Sequence, residues 1–124
     1  MIVLVDTSAW ICYLNDIESR ARDLLDEVLN SDNQVAITPT ILQEILQGTR
    51  TSKEQARCLT FFLERKILLP KDLVVSAIEA AEIYLRCRRA GVTIRSTTDC
   101  QIAQATIEHE VPILHNDKDF DRIA

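Results

Sequence analysis

Five acidic residues sit where a folded chain can gather them: Asp6 after the apolar run Ile2-Val3-Leu4-Val5, then Glu44, Asp99, and Asp117 and Asp119 after Pro112-Ile113-Leu114-His115. Carboxylates with no histidine or thiolate beside them select hard cations such as Mg²⁺ or Mn²⁺ over zinc, and their chemistry is metal-assisted hydrolysis. His109 and His115 have no metal-ligand spacing and read as structural. Each acid also has a plainer explanation. Asp6, Thr7 and Ser8 are capping types in front of a helical stretch that runs to Leu14, so Asp6 taken alone reads as an N-cap. Glu44 lies off the centre of the stripe formed by Ile41, Leu42, Ile45 and Leu46, and periodicity by itself sends it to solvent. Asp117 and Asp119 follow the last strand as Asp6 follows the first, again at capping positions. Asp99 is different. At about 100° per residue it falls in the middle of the arc of Ile102, Ala103 and Thr106, so it faces inward. Burying a lone charge costs several kcal/mol, and Asp99 therefore needs a cation, a hydrogen-bond cage or a solvated cleft.

The elements that must position these acids alternate between strand and helix. Ile2–Val5 is a strand of the kind buried on both faces in parallel sheets. Apolar residues Ala21, Leu24, Leu25, Val28 and Leu29 make one face of a helix between Ser19 and Asn30. Val35–Ile37 is a second strand, and Thr38 with Pro39 opens a helix to Gln47 that Gly48 stops. Ser52 and Gln55 have capping-box spacing for a helix directed toward Arg65. Ile67–Leu69 is a third strand, and 73–90 is a long helix ended by Gly91. Thr97 or Thr98 caps the helix that carries Asp99. Pro112–His115 is the last strand, followed by a turn into a short terminal helix. Strands alternating with helices predict an α/β fold, a central parallel sheet with right-handed crossovers and helices on both faces. Parallel strands place Asp6, the helix carrying Glu44, and Asp117 at one carboxyl edge, where ligands bind in open α/β sheets.

Composition limits the rest. With 124 residues, 47% of them hydrophobic, the chain makes one domain over 1–124. Nineteen acidic against fourteen basic residues give a net charge of −5, which argues against a nonspecific nucleic-acid coat. It leaves room for a nucleic-acid enzyme, because bound cations cancel carboxylate charge locally. The concentrated positive charge is Arg86, Arg88 and Arg89, with Arg95 shortly after. It suits either a helix C-terminus or RNA contact. Cys12, Cys58, Cys87 and Cys100 show no CxxC spacing and read as reduced core residues, the usage of a cytoplasmic protein. No basic-then-apolar leader and no run near roughly 18 apolar residues is present, so neither export nor membrane insertion is expected.

Four blocks carry a resemblance: Ile2-Val3-Leu4-Val5-Asp6-Thr7-Ser8-Ala9-Trp10, Pro39-Thr40-Ile41-Leu42-Gln43-Glu44-Ile45-Leu46-Gln47-Gly48, Ile94-Arg95-Ser96-Thr97-Thr98-Asp99-Cys100-Gln101-Ile102-Ala103, and Leu114-His115-Asn116-Asp117-Lys118-Asp119-Phe120. In this order and spacing the chain resembles a PIN-domain ribonuclease, specifically a VapC-type toxin of a bacterial toxin–antitoxin pair. The resemblance implies that Asp6, Glu44, Asp99 and Asp117 form a Mg²⁺ or Mn²⁺ site with Asp119 nearby. It also implies that the substrate is RNA, commonly tRNA, that a small antitoxin is the partner, and that the chain is a homodimer. Members usually continue past the position of Ala124 through another loop and strand, so a domain without that last edge strand is expected. They also tend to carry an apolar residue where Gln101 stands.

In the roles that follow, Asp6 and Asp99 are direct ligands, Glu44 orients the attacking water, and Asp117 completes the shell of a second ion. Thr7, Ser96 and Thr98 are hydroxyls placed to orient the carboxylates. Two other catalytic or signalling classes fit less well. A haloacid-dehalogenase-type phosphatase needs a second Asp two residues after the first, where this chain has Ser8. A receiver-type switch needs an acceptor Asp after the third strand, where it has Leu69-Pro70. A non-catalytic interaction module on the same fold would give Asp99 no reason to face inward.

Overall fold

Ile2–Val5 forms β1, and Val3, Leu4 and Val5 are buried in it. The computed structural model describes residues 1–94 and 96–123, except for the side chains of residues 119 and 122. After β1 come α1 (Thr7–Leu14), α2 (Arg20–Leu29), β2 (Gln34–Ile37), α3 (Pro39–Gln47), α4 (Ser52–Phe62), β3 (Lys66–Ile67), α5 (Leu73–Arg89), α6 (Thr97–His109), β4 (Ile113–Leu114) and α7 (Lys118–Ile123). The strands lie in the order β3-β2-β1-β4. Every pair is parallel, with Val3 opposite Val35, Ile37 opposite Ile67 and Val5 opposite Leu114.

This order divides the helices between the two faces. From β1 to β2 and from β2 to β3 the chain steps the same way, so right-handed crossovers put α1 to α4 on one face. From β3 it returns past β1 to β4, and the same hand puts α5 and α6 on the other. The packing of α1 on α2 and α3, of α3 on α4, and of α5 on α6 follows this division. The connections leave in opposite directions between β1 and β4, which makes that crevice the switch point of the sheet. The main core is built on Leu4, Trp10, Leu25, Ile37, Ile41 and Phe62. Trp10 meets Phe62 edge-on at 4.8 Å between ring centroids, a favoured aromatic geometry. A smaller cluster of Ala80, Cys87, Ile94 and Cys100 fills the space between α5 and α6.

Several boundaries move by a residue or two from the sequence expectation. β3 is Lys66–Ile67, not 67–69: β2 stops pairing at Ile37, because Pro39 opens α3, and the ladder closes with Leu68 N–H donating to Ile37 O at 2.9 Å. The cap of α4 is Thr51 in place of Ser52. Thr51 Oγ1 accepts the Glu54 N–H and Glu54 Oε2 accepts the Arg50 N–H, both at 3.1 Å. The charged Glu54 suits a helix N-terminus better than Gln55. Likewise Ser96, not Thr97 or Thr98, caps α6 by accepting the Thr98 N–H at 3.2 Å. Gly48 ends α3 at φ −83°, so that stop makes no use of left-handed backbone. Gly91, at φ +77°, does use it, and only glycine adopts that conformation without cost. No disulfide joins the four cysteines, and Cys12, Cys87 and Cys100 are buried. Among the described residues no helix is long and apolar enough to cross a membrane.

Candidate active site

Asp6 follows β1 and caps α1, so the plain reading and the chemical one fall on the same residue. Its Oδ2 accepts two hydrogen bonds, from Ser8 N–H at 3.0 Å and from Ser8 Oγ at 2.6 Å. Its Oδ1 takes none among the described residues, although the residue is only 4% exposed. The Asp6 N–H donates to Leu114 O at 2.9 Å, which locks the carboxylate beside the end of β4. Glu44 departs from what its helical periodicity predicts. It is half-buried, and Thr7 Oγ1 donates to its Oε1 at 2.8 Å. The tertiary fold turns α3 so that this flank meets the start of α1. Asp99 lies in the first turn of α6 at 8% exposure, inward as its arc required. Glu44 and Asp99 thus come from helices on opposite faces of the sheet that Asp6 follows.

Asp117 follows β4, and its N–H donates to His115 Nδ1 at 3.2 Å. It borders a cleft of about 570 Å³ shared with Arg20, Asn116 and Lys118. His115 also stacks at a tilt on Phe120, 5.2 Å between centroids, and His109 Nε2 lies 2.8 Å from Leu69 O. Both histidines thus brace loops. Two contacts at the switch point were not read from the sequence. Asn116 N–H donates to Ser8 Oγ at 2.8 Å, and Asn116 Nδ2 to Cys12 Sγ at 3.3 Å. The Asp-x-Ser spacing signals only the Ser8–Asp6 bond, since a serine two residues after a capping Asp shares its carboxylate. Nothing in residue type announces a backbone contact across more than a hundred positions.

Among the described residues no three Asp, Glu, His or Cys side chains are close enough together to hold a metal ion. Asp6 and Glu44 are held instead on hydroxyl donors. The donor chemistry nevertheless suits Mg²⁺ or Mn²⁺: oxygen ligands throughout, and an Asp6 oxygen to which the described residues supply no hydrogen-bond donor.

The sequence profile of the PIN domain matches residues 3–124. The chain belongs to the PIN-domain family. A VapC ribonuclease of Mycobacterium bovis, Mb1587, and ribonuclease VapC11 of Mycobacterium tuberculosis are each 38% identical over 128 residues, spanning 99% of this chain and 92% of the relative. Among solved structures, VapBC2 of Rickettsia felis bound to a promoter DNA fragment has a TM-score of 0.73 at 21% identity, over 99% of this chain and 93% of that one. VapBC-1 of nontypeable Haemophilus influenzae has a TM-score of 0.76 at 18% identity, over 99% and 92%. These structures share the PIN fold found here.

Other positions singled out in this PIN domain are less closely tied to the acids. Ser96 and Thr98 hydroxyls lie 2.6 Å apart, bonded to each other at the start of α6. Arg86 and Arg89 pair with Glu82 at 3.3 and 3.4 Å, and Arg88 stands 6.0 Å over the Tyr84 ring. All three arginines lie in the last turn of α5, at the end that residues 90–96 join to the Asp99 turn. Arg95 and the side chain of Asp119 fall outside the described residues. Gln101 is exposed on α6, so a polar residue there meets water.

Proposed function

We propose that this chain is a Mg²⁺- or Mn²⁺-dependent endoribonuclease of the VapC toxin type, cytoplasmic, cutting RNA with tRNA as the preferred class, and neutralised by a VapB-type antitoxin. The observation that carries this reading is the division of labour in the enclosed Asp6 carboxylate: Oδ2 is committed to Ser8, and Oδ1 has no donor among the described residues. The VapC names of the relatives at 38% identity support it, as do the VapBC complexes among structures of this fold.

In this reading Asp6 and Asp99 hold the cation, with Asp117 and Asp119 completing the oxygen set. The bound cation supplies Lewis acidity, making water nucleophilic near neutral pH and stabilising the leaving oxygen. Glu44, with Oε1 fixed by Thr7, keeps Oε2 to accept a hydrogen bond from the attacking water and align it. Asp6 is kept in place by the backbone bond to Leu114 and the Ser8 donors, so it need not reorganise during the reaction. Arg86, Arg88 and Arg89, with Arg95, would meet the phosphate backbone beside Asp99. The chain is proposed to act as a homodimer.

The deciding test is cleavage of RNA by the purified protein. Activity with Mn²⁺, its loss in EDTA, its return on adding Mn²⁺ and its absence in Asp99→Asn are the expected results. Cleavage that survives EDTA would remove the metal from the reading. The spread of the described carboxylates favours one competitor, a non-catalytic interaction module on this fold, and that module would show no cleavage at all.

A further inference from the structure

We propose that Ser8 is a positioning residue that fastens the β4 loop to the Asp6 carboxylate across the switch point of the sheet; this rests on the nuclease reading above. The Ser8 hydroxyl is engaged on both sides, 2.6 Å from Asp6 Oδ2 and 2.8 Å from Asn116 N. A hydroxyl carries one proton and two lone pairs. The amide can only donate, so the Ser8 proton goes to the carboxylate, at a length typical of a charge-assisted O–H···O⁻ bond. Capping of α1 does not require this hydroxyl, because Ser8 N–H already donates to the same oxygen at 3.0 Å. What the hydroxyl adds is the link to Asn116.

That link supplies what the sheet lacks. β4 pairs with β1 only through Leu4 opposite Ile113 and Val5 opposite Leu114, so the ladder stops short of Asn116 and Asp117. Ser8 takes over at that point as a side-chain extension of the ladder. Asn116 is held a second time by the buried Cys12, which lies four positions after Ser8 and so on the same face of α1. The neighbouring Asp117 N–H is turned onto His115 Nδ1. The Ser8 hydroxyl therefore helps to fix Asp117 relative to Asp6 at the point where the run of backbone bonds has ended.

The test is calorimetric titration of the full chain with Mn²⁺ in the absence of RNA, for wild type, Ser8→Ala, Ser8→Thr, Asp117→Asn and the Ser8→Ala/Asp117→Asn double variant. Ser8→Ala is expected to weaken Mn²⁺ binding about tenfold, the low end for loss of a group that orients a ligand. Ser8→Thr, which keeps the hydroxyl, is expected to bind as wild type does. With Asp117→Asn already present, Ser8→Ala should cost nothing more, since its effect passes through that carboxylate. Equal binding by wild type and Ser8→Ala would overturn the proposal and leave the nuclease reading standing. So would an undiminished Ser8→Ala effect in the double variant, which would confine Ser8 to Asp6. If wild type binds no Mn²⁺, the nuclease reading fails, and the positioning role is then judged by amide exchange. Exchange at Asn116 must quicken in Ser8→Ala and recover in Ser8→Thr. Should Ser8→Ala not fold, Ser8→Cys fills the same space with a poor acceptor and gives the same readings.

Discussion

Thr7 Oγ1 donates to Glu44 Oε1 at 2.8 Å, joining the residue after Asp6 to an acid on a different helix. Neither residue is fully buried, so the bond does more for orientation than for stability. Thr7→Val should cost about 1 kcal/mol of stability, the ordinary worth of a net hydrogen bond. It should lower kcat about tenfold, in the range seen when an orienting partner is removed, with KM nearly unchanged. Thr7→Ser should restore kcat. Steady-state cleavage of one RNA by the three proteins decides it, and an unaltered kcat in Thr7→Val would detach Glu44 from the reaction.

Enclosed carboxylates at one edge repel one another unless a cation neutralises them, so metal binding and folding are linked. At a hundred times its Kd, a cation that binds only the native state adds about 2.7 kcal/mol. For a chain of this length that raises Tm on the order of 10 °C. Thermal melts with Mg²⁺ or Mn²⁺ should show such a rise for wild type and a smaller one for Asp99→Asn. The same shift in both would remove Asp99 from the site.

A chain with net charge −5 needs local positive surface to hold a polyanion. Arg88 and Arg89 lie in the last turn of α5, the helix that precedes the Asp99 helix in the chain. Charge reversal at both should weaken RNA binding and flatten its salt dependence, by about one unit of slope for each phosphate that an arginine no longer neutralises. Filter binding across a range of salt measures both quantities. If neither changes, the two arginines serve only the C-terminal dipole of α5.

Attack by water in line expels the 3′-oxygen, so the products should carry a 5′-phosphate downstream and a free 3′-hydroxyl upstream. Attack by the RNA's own 2′-hydroxyl leaves a cyclic phosphate and usually relies on histidine or lysine. Here both histidines are occupied with loop contacts. Poly(A) polymerase should therefore extend the upstream fragment without phosphatase treatment. A cyclic phosphate would overturn the roles given to Asp6, Glu44, Asp99 and Asp117.

Much of this architecture was legible in residue order because it depends on local chemistry. The aliphatic run before Asp6 reads as a strand buried on both faces, Thr38-Pro39 offers a cap and a proline suited to a helix start, and a 3.6-residue period turned Asp99 inward. The misplaced caps of α4 and α6 mark where that local chemistry is degenerate: adjacent serines and threonines compete for the same role, and the winner depends on which one the surrounding chain leaves extended. Glu44 and Ser8 show what pattern could not reach. Periodicity sent Glu44 to water, but the packing of α3 against α1 brought Thr7 to it. Ser8 was visible as a residue beside Asp6, yet its second partner lies more than a hundred positions away and offers only a backbone N–H. Every residue type except proline carries that group, so no sequence signal marks it. Only the placing of β4 beside β1, a consequence of the whole sheet order, decided which one Ser8 would hold.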